Sequence, residues 1–512
     1  MPRKQISRYV SGANVDVARQ YNFNGGLNNN DNENQIENNQ LSRAENVRIG
    51  STGEVTTRDG YELVDAQIGA AKGITGLGYY HKGDTVHKLI AKYNTDIYHY
   101  TDGGSWTALS QTLTAVADME MVTAQDVAYI TTGTDTFRKY DNSSVSTLTE
   151  IPVASATSSD QPRVLEYWSE RAVLLLGNTT NQPQRLYFSD VDALETFRSL
   201  QFQDFDGPIT GIKEYRDLVF VWTEHSTYIL TGVRSAPGGN NNIAFEVDVR
   251  KMPAGVGCVA KRSPRVVNGF IYWAADDGIY RSEGSVVQYI SSDVESTFQT
   301  GMVLKSNMCG GKKENRYYLG YTRSGQTIID RAFVVDTTKS FPVVASIDNG
   351  YSPSVFAEMP VSSDFQLFFG DMTETNGSVY KAEVLNAGEE SVVMTFETKA
   401  FDFDSTDLNK KLRKTFVRGA DAGAITVSFG YKGTDNAGFT TQNITLQGNS
   451  ATRGSSLTRG QFVRGFGGDV EQWIKTKLKS RTIKYQFTHT GTDEKITIYG
   501  LSPAFKKVVK LR

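Results

Sequence analysis

Five histidines are the first candidates for acid–base or metal chemistry: His81, His87, His99, His225 and His489. No two stand at HxxxH spacing, and HExxH is absent. His87 and His99 fall near strands of one repeat, but a zinc site there would need a third ligand, so no metal is expected. Two cysteines, Cys258 and Cys309, cannot complete a zinc site or build a disulfide framework. They are expected as buried reduced thiols. Neither GxSxG nor a Walker-A loop occurs. Acidic residues are plentiful, yet no spacing singles out a pair for glycosidic cleavage. Neither catalytic residues nor a cofactor is expected.

Cations gather at both ends. Arg3, Lys4 and Arg8 lie in the first eight residues, and Lys506, Lys507, Lys510 and Arg512 in the last seven. Two readings are open for them: solvated tails, or contact with DNA or an acidic partner surface. The formal net charge of −3 gives no global reason to expect nucleic-acid binding. Mean hydropathy is −0.38. No run of about 18 apolar residues is present, so no membrane span is expected. The start, Met1-Pro2-Arg3-Lys4-Gln5, is basic without an apolar stretch after it. A signal peptide is therefore not expected, and synthesis in a cytosol is.

The elements that would position any site follow one rhythm. Between about residues 73 and 385 an apolar strand, a tight polar turn and a second strand with an aromatic recur seven times. Examples are Val173-Leu174-Leu175-Leu176 before Leu186-Tyr187, Val219-Phe220-Val221-Trp222 before Tyr228-Ile229, and Phe270-Ile271-Tyr272-Trp273 before Ile279-Tyr280. The aromatics Tyr98, Phe137, Tyr187, Tyr228, Tyr280, Phe333 and Tyr380 are spaced 39 to 53 residues apart. A strand repeat of that length predicts propeller blades, which cannot bury both faces alone and so stack radially. With 25 Tyr, 26 Phe and 47 Gly, the chain reads as all-β. Short helices are predicted only near Asp190–Ser199 and Asp293–Thr300. Thr101-Asp102-Gly103-Gly104-Ser105-Trp106 resembles the Asp-box turn of sialidase-like propellers, but it is one residue short and occurs once. An ordinary Gly-rich turn followed by a packed Trp accounts for it better.

Three regions are predicted. Residues 1–66 form an extended N-terminal arm, because the Asn-crowded stretch 22–40 lacks the apolar surface to fold alone. Residues 67–388 form a β-propeller of seven blades. Residues 389–512 form a C-terminal β-sandwich of jelly-roll type, since Ile425-Thr426-Val427-Ser428-Phe429 and Ile483-Lys484-Tyr485-Gln486-Phe487 alternate with period two. Pro237–Asn242 reads as a longer, projecting loop, either a mobile tip or a subunit contact, and the Ser-, Arg- and Gly-rich insert Gly448–Gly468 reads as a loop.

The segment Phe23-Asn24-Gly25-Gly26-Leu27-Asn28, followed by Glu45-Asn46-Val47, Gly53-Glu54-Val55 and Arg58-Asp59-Gly60-Tyr61, resembles the opening of tail proteins from short-tailed bacteriophages. The family comprises the packaged-DNA stabilisation (tail hub) proteins and the tail nozzle, or tail tubular B, proteins. The likeness covers roughly the first 62 residues, and beyond them it is one of architecture. It implies a structural virion protein and not an enzyme: a homo-oligomeric ring, hexameric in the family, below the portal and adaptor, retaining and conducting double-stranded DNA. It further implies that Phe23, Gly25, Gly26, Leu27 and Arg58 dock the arm on an adjacent subunit. Arg3, Lys4, Arg8, Lys506, Lys507 and Lys510 would touch DNA or acidic partners. The alternatives are a glycan-degrading propeller enzyme and a receptor-binding tail adhesin.

Overall fold

Strands that are apolar on both faces need a sheet packed against each side, and the seven repeats meet that need in a ring. The computed structural model describes residues 16–17, 20, 22–70, 72–109, 111–148, 161–237, 243–339, 342–350, 352–362, 364–373, 377–384, 391–403, 407–420, 425–434, 436–446, 469–491 and 494–508. It divides into two compact units, Asp59–Val392 and the combination of Met1–Arg58 with Val393–Arg512. The predicted boundaries at 66/67 and 388/389 therefore move. The N-terminal segment belongs with the C-terminal strands, and the propeller begins earlier than expected.

The first unit holds seven antiparallel blades: six are separate four-stranded sheets, and the remaining one, blade 6, has four strands with Met302–Val303 paired beside them. Blade 1 runs Ile74–Lys82, Val86–Tyr93, Asp96–Tyr100 and Thr107–Ala108. Blade 2 is Glu120–Ala124 to Val145–Thr147, blade 3 Val164–Trp168 to Ala193–Asp204, and blade 4 Ile209–Tyr215 to Ile243–Lys251. Blade 5 is Arg265–Val267 to Val287–Tyr289 and blade 6 Cys309–Lys313 to Val343–Asn349. Blade 7 is Pro353–Val361, Asp364–Asp371 and Val379–Val384, completed by Gly60–Leu63 from before blade 1. In that last pairing Tyr380 stands opposite Leu63 and Lys381 opposite Glu62. Each repeat recognised in the sequence is the second and third strand of one blade.

Packing between blades explains the apolar runs. Val173 and Leu175 of blade 3 meet Val219 and Val221 of blade 4, while Leu174 and Leu176 turn the other way onto Tyr129 and Phe137 of blade 2. Alternate residues thus fill two different cores. Trp222 and Trp273 join blades 4 and 5 at 5.5 Å, and Tyr272 stacks on Tyr317 between blades 5 and 6 at 5.4 Å. Ile74, Leu89 and Ala91 pack on Val355, Phe368 and Val379, which closes the ring between blades 7 and 1. Each such side chain contributes about 1.5–3 kcal/mol on burial.

One predicted helix is corrected. Asp190–Ser199 lies in the hairpin of Arg185–Asp190 and Ala193–Asp204. Asp192 takes the left-handed turn position at φ 57°, and Arg198 pairs back to Asp190 at 2.9 Å. The other prediction corresponds to a 3-10 turn at Ser292–Val294 and a π turn at Thr297–Gly301. Thr101–Trp106 is a turn in which the Gly104 amide donates to the Thr101 carbonyl at 2.8 Å, and Trp106 packs against the core of blades 7 and 1.

The second unit is two sheets. One runs Asp469–Ser480, Asn409–Ala420, Thr497–Val508, Val55–Thr57, Val47–Ile49, with Asp16–Val17 also paired to Thr497–Val508. The other runs Gly26–Leu27, Gln40–Glu45, Val392–Thr398, Ile483–Gly491, Thr426–Gly433, Thr440–Thr445. Their inner faces meet where Thr57 lies beside Met394, and Phe403, from the turn after Val392–Thr398, packs on Phe505 at 4.1 Å. The Asn-rich segment is ordered here against the chain's own strands: Phe23, Leu27, Ile36 and Leu41 are buried, and Asn28 donates to Gln40 and Asp31.

Candidate functional site

The first strand of every blade faces the propeller axis, and a polar residue stands there in most of them. Glu120, Glu166, Lys213, Arg265, Lys312 and Glu358, from blades 2 to 7, line one axial cavity of about 380 Å³ with Tyr79 of blade 1 and Phe356 of blade 7. Ring closure brings together charges that lie up to 238 positions apart in the sequence.

The segment leading into blade 5 crosses this axis. Arg262 is buried and reaches to the far side of the ring. Its Nε donates to Glu120 at 2.8 Å, and its Nη2 donates to the carbonyls of Thr75 at 2.8 Å and Met119 at 3.0 Å. Its Nη1 donates to the Ser354 carbonyl at 3.4 Å. One guanidinium therefore ties blades 1, 2 and 7 to blade 5, using a planar donor fork that no other side chain supplies. Lys261 adds a contact to Glu120 at 3.2 Å. On the other side of these two residues lies a second cavity of about 270 Å³, lined by Lys72, Thr75, Asp118 and Asn307 among others. Lys261 and Arg262 thus partition the axis into two chambers.

The crossing is held from behind. Gly310 donates its amide to the Arg262 carbonyl at 2.8 Å, and a Cβ at Gly310 would lie 2.2 Å from the Ser263 carbonyl oxygen, so only glycine allows this approach. Tyr317 donates to that same oxygen at 2.9 Å. Cys258 and Cys309 flank the segment as buried free thiols. Burial pushes the Cys258 thiol up to about 11 and Cys309 up to about 12, Arg262 opposing the latter. Both stay protonated and unreactive at neutral pH.

Charge in the larger chamber is partly neutralised. Burial works to raise the Glu120 carboxyl, but Lys261 and Arg262 outweigh it and hold the group below its usual range. Glu166 accepts Lys213 at 3.0 Å on both oxygens, yet burial wins and its carboxyl is raised. Glu358 is raised too, chiefly by burial, against the opposing fields of Arg265, Lys312 and Lys213. Arg265 donates to the carbonyls of Pro264 and Phe356. Two raised carboxyls beside several cations can take up a proton or hold a small polar or anionic molecule. Among the described residues no group of three or more His, Cys, Asp or Glu side chains could hold a metal ion.

The residues expected to dock an arm on a neighbour lie, within this chain, in the two-sheet unit. Phe23 is buried edge-on to Phe396 at 5.8 Å, and Leu27 is buried. Gly25 fits against Asn39 and Gln40, and Gly26 takes φ 74°. Arg58 is buried, its Nε donating to Asn46 at 3.0 Å. Within the single chain these side chains help build the two-sheet unit. Arg3, Lys4, Arg8, Lys510 and Arg512 lie outside the described residues, while Lys506 is exposed and Lys507 partly so. The axial residues were missed in the sequence, although one signal was there. Charge sits inside first strands that are otherwise mostly apolar, as Glu166 in Val164-Leu165-Glu166-Tyr167-Trp168 and Lys213 with Glu214 in Ile209–Tyr215.

The fold defines the class: a closed seven-bladed β-propeller whose chain continues into a two-sheet β unit. No protein-family model and no curated protein matches the sequence. Among solved structures, the chain is similar to virginiamycin B lyase from Staphylococcus aureus at 11% identity and a TM-score of 0.40, covering 64% of this chain and 100% of that one. It is similar to the N-terminal domain of Nup159 at 10% identity and a TM-score of 0.36, covering 66% and 98%. PorZ of the Porphyromonas gingivalis type-IX secretion system matches at 10% identity and a TM-score of 0.35, covering 68% and 44%. Likeness at this level concerns the chain trace and not activity.

Proposed function

We propose that this chain is a structural virion protein of a tailed bacteriophage, a subunit of a ring, hexameric in the family it resembles, that forms the tail nozzle or hub. The observation that carries the reading is the N-terminal motif Phe23–Asn28 with Glu45-Asn46-Val47 and Arg58-Asp59-Gly60-Tyr61. The propeller supports it as a rigid part: blades locked by aromatic cores and an axis crossed by Arg262. DNA cannot thread that axis, so a conduit would be the space enclosed by several subunits together. The portal, the adaptor and other tail proteins are the partners this role requires, and the virion tail is the location. Electron microscopy and sedimentation of the purified protein, alone and with portal and adaptor proteins, test it. Closed six-fold particles are the expected result. Monomers that never assemble, even with those partners, would overturn the reading.

The axial chamber favours a second reading, a propeller enzyme acting on glycans. Glu166 and Glu358 both have raised carboxyls on opposite parts of the ring, as a general acid requires. Hydrolysis of cell-surface glycans that disappears in Glu358→Gln and in Glu166→Gln would select it over the first.

A further inference from the structure

The net charge of −3 conceals a division. Residues 393–512 carry 20 Lys and Arg against 10 Asp and Glu, a net of +10, whereas residues 1–392 carry 34 against 47, a net of −13. Within the C-terminal excess, three adjacent strands of one sheet concentrate the cations. Asn409–Ala420, Asp469–Ser480 and Thr497–Val508 hold ten Lys and Arg and only two acidic residues, Asp469 and Glu471.

Alternation along the strands puts most of these cations on one side. On the edge strand Lys475, Lys477 and Lys479 are exposed, while Ile474, Thr476 and Ser480 are buried. On its neighbour Lys411, Arg413 and Lys414 are exposed, while Leu412 and Thr415 are buried. On the third strand Lys506 is exposed. The register sets Lys411 directly across from Lys479 on one side and from Lys506 on the other, and Lys414 across from Lys475. Like charges placed opposite one another destabilise a sheet. Among the described residues, Lys411, Lys475, Lys477, Lys479 and Lys506 have no ion-pair partner to relieve that repulsion. At the end of the row Trp473 is 54% exposed and packs on Phe416 at 4.8 Å, with the Lys414 ammonium over its ring at 5.9 Å.

We propose that this sheet face binds the phosphate backbone of nucleic acid. Cations repeating at ~7 Å along a strand and ~4.8 Å between strands make a flat lattice of point charges. A polyphosphate neutralises such a lattice and gains further by releasing its counterions. Lysines dominate over arginines, which suits contact with backbone charge and not the bidentate reading of bases. The inference stands apart from the virion reading: it uses only this face, and a failure to form rings leaves it untouched.

Fluorescence anisotropy of the full chain with a labelled 30-base-pair duplex of random sequence, from about 50 to 200 mM salt, tests it. Binding should be independent of sequence and weaken linearly on a log–log salt plot. The triple variant K475E/K477E/K479E, checked for unchanged circular dichroism, should lose at least tenfold in affinity. The milder K475Q/K477Q/K479Q should flatten the salt slope by about 2–3. A labelled oligo-dT of 30 nucleotides distinguishes the two forms of the backbone. Loss of oligo-dT binding alone in Trp473→Ala assigns base stacking to the single strand, in support of a nucleic-acid face. Undiminished duplex binding by both triple variants would overturn the proposal. So would equal binding of poly-glutamate with the same salt slope, or salt-sensitive self-association of the protein alone that the K→E variant abolishes. Those last two results would hand the face to an acidic protein or to a second copy of this chain.

Discussion

The propeller unit and the two-sheet unit are both nearly all strand, yet they are built on opposite principles. In Asp59–Val392 almost every sheet is continuous in sequence, and only Gly60–Leu63 is borrowed from a distance. In the other unit both sheets mix strands from the two ends of the chain, as where Leu41 pairs with Thr398 and Val55 with Ile498. Their charges are opposed as well: 27 Lys and Arg against 41 Asp and Glu in 59–392, and 27 against 16 in the remainder. Local sheets can form as each repeat is made, whereas the mixed sheets must wait for the last residues and bear the entropy of closing a loop of some 330 residues.

The sharpest way to break this comparison is to cut the chain. Residues 59–392 expressed alone should give a soluble propeller with one cooperative thermal transition by circular dichroism. Residues 393–512 alone should remain unfolded, and should gain structure when a peptide covering 16–58 is added. Folding of 393–512 without that peptide would erase the distinction.

Phe23→Ala removes a buried ring that packs on Phe396, at an expected cost of about 3–5 kcal/mol. Two-transition melting should show the loss confined to the two-sheet unit. Trp222→Ala should give a loss of the same order in the propeller alone, where the ring meets Trp273. Equal shifts in both transitions for either variant would mean that the units do not melt independently.

Lys92 provides a pH handle on the propeller. It is fully buried in blade 1, and burial lowers its ammonium to about 8. Its Nζ donates to Thr75 Oγ1 at 3.1 Å and to the carbonyls of Asn94 at 2.8 Å and Ala115 at 3.2 Å. The unfolded chain keeps this proton to about 10.5, so between 8 and 10.5 it binds more protons than the native state. Native stability should therefore rise as pH rises through that window, by up to ~3 kcal/mol. Denaturant titrations at pH 7.5 and 10 measure it, and the rise should vanish in Lys92→Met.

The smallest expected effect is at Gly310→Ala. The added methyl meets the Ser263 carbonyl, and the crossing segment must shift at about 1–3 kcal/mol. Hydrogen exchange should quicken around 258–263 and not in the two-sheet unit.

What was legible in the sequence followed from burial on two faces. Val173–Leu176 and Phe270–Trp273 pack on a neighbouring blade from each side, so they read as unbroken apolar runs, and seven such runs betray the propeller. Gly60-Tyr61-Glu62-Leu63 did not read as a blade strand, because it is short and its partner lies more than 300 residues away. The Asn-rich segment looked unable to fold because Phe23, Leu27, Ile36 and Leu41 are too sparse to make a core without the C-terminal strands. Of the axial site, the individual charges were visible but their convergence was not, since only ring closure brings Glu120, Arg262 and Glu358 to one chamber. The alternation of Lys475, Lys477 and Lys479 is plain in the sequence, but which side it faces depends on the pairing with Asn409–Ala420, more than 60 residues earlier in the chain at Lys475 and Lys479.

The strap Gly60–Leu63 has a mechanical consequence. The backbone passes from one unit to the other twice, at 58/59 and at 392/393. The first crossing leads straight into the fourth strand of blade 7, and the second follows soon after its third strand, Val379–Val384. A pull on residue 59 directed along Gly60–Leu63 would load the bonds of its antiparallel pairing with Val379–Val384 together in shear. The seam that shuts the wheel is thus also the place where the backbone enters it.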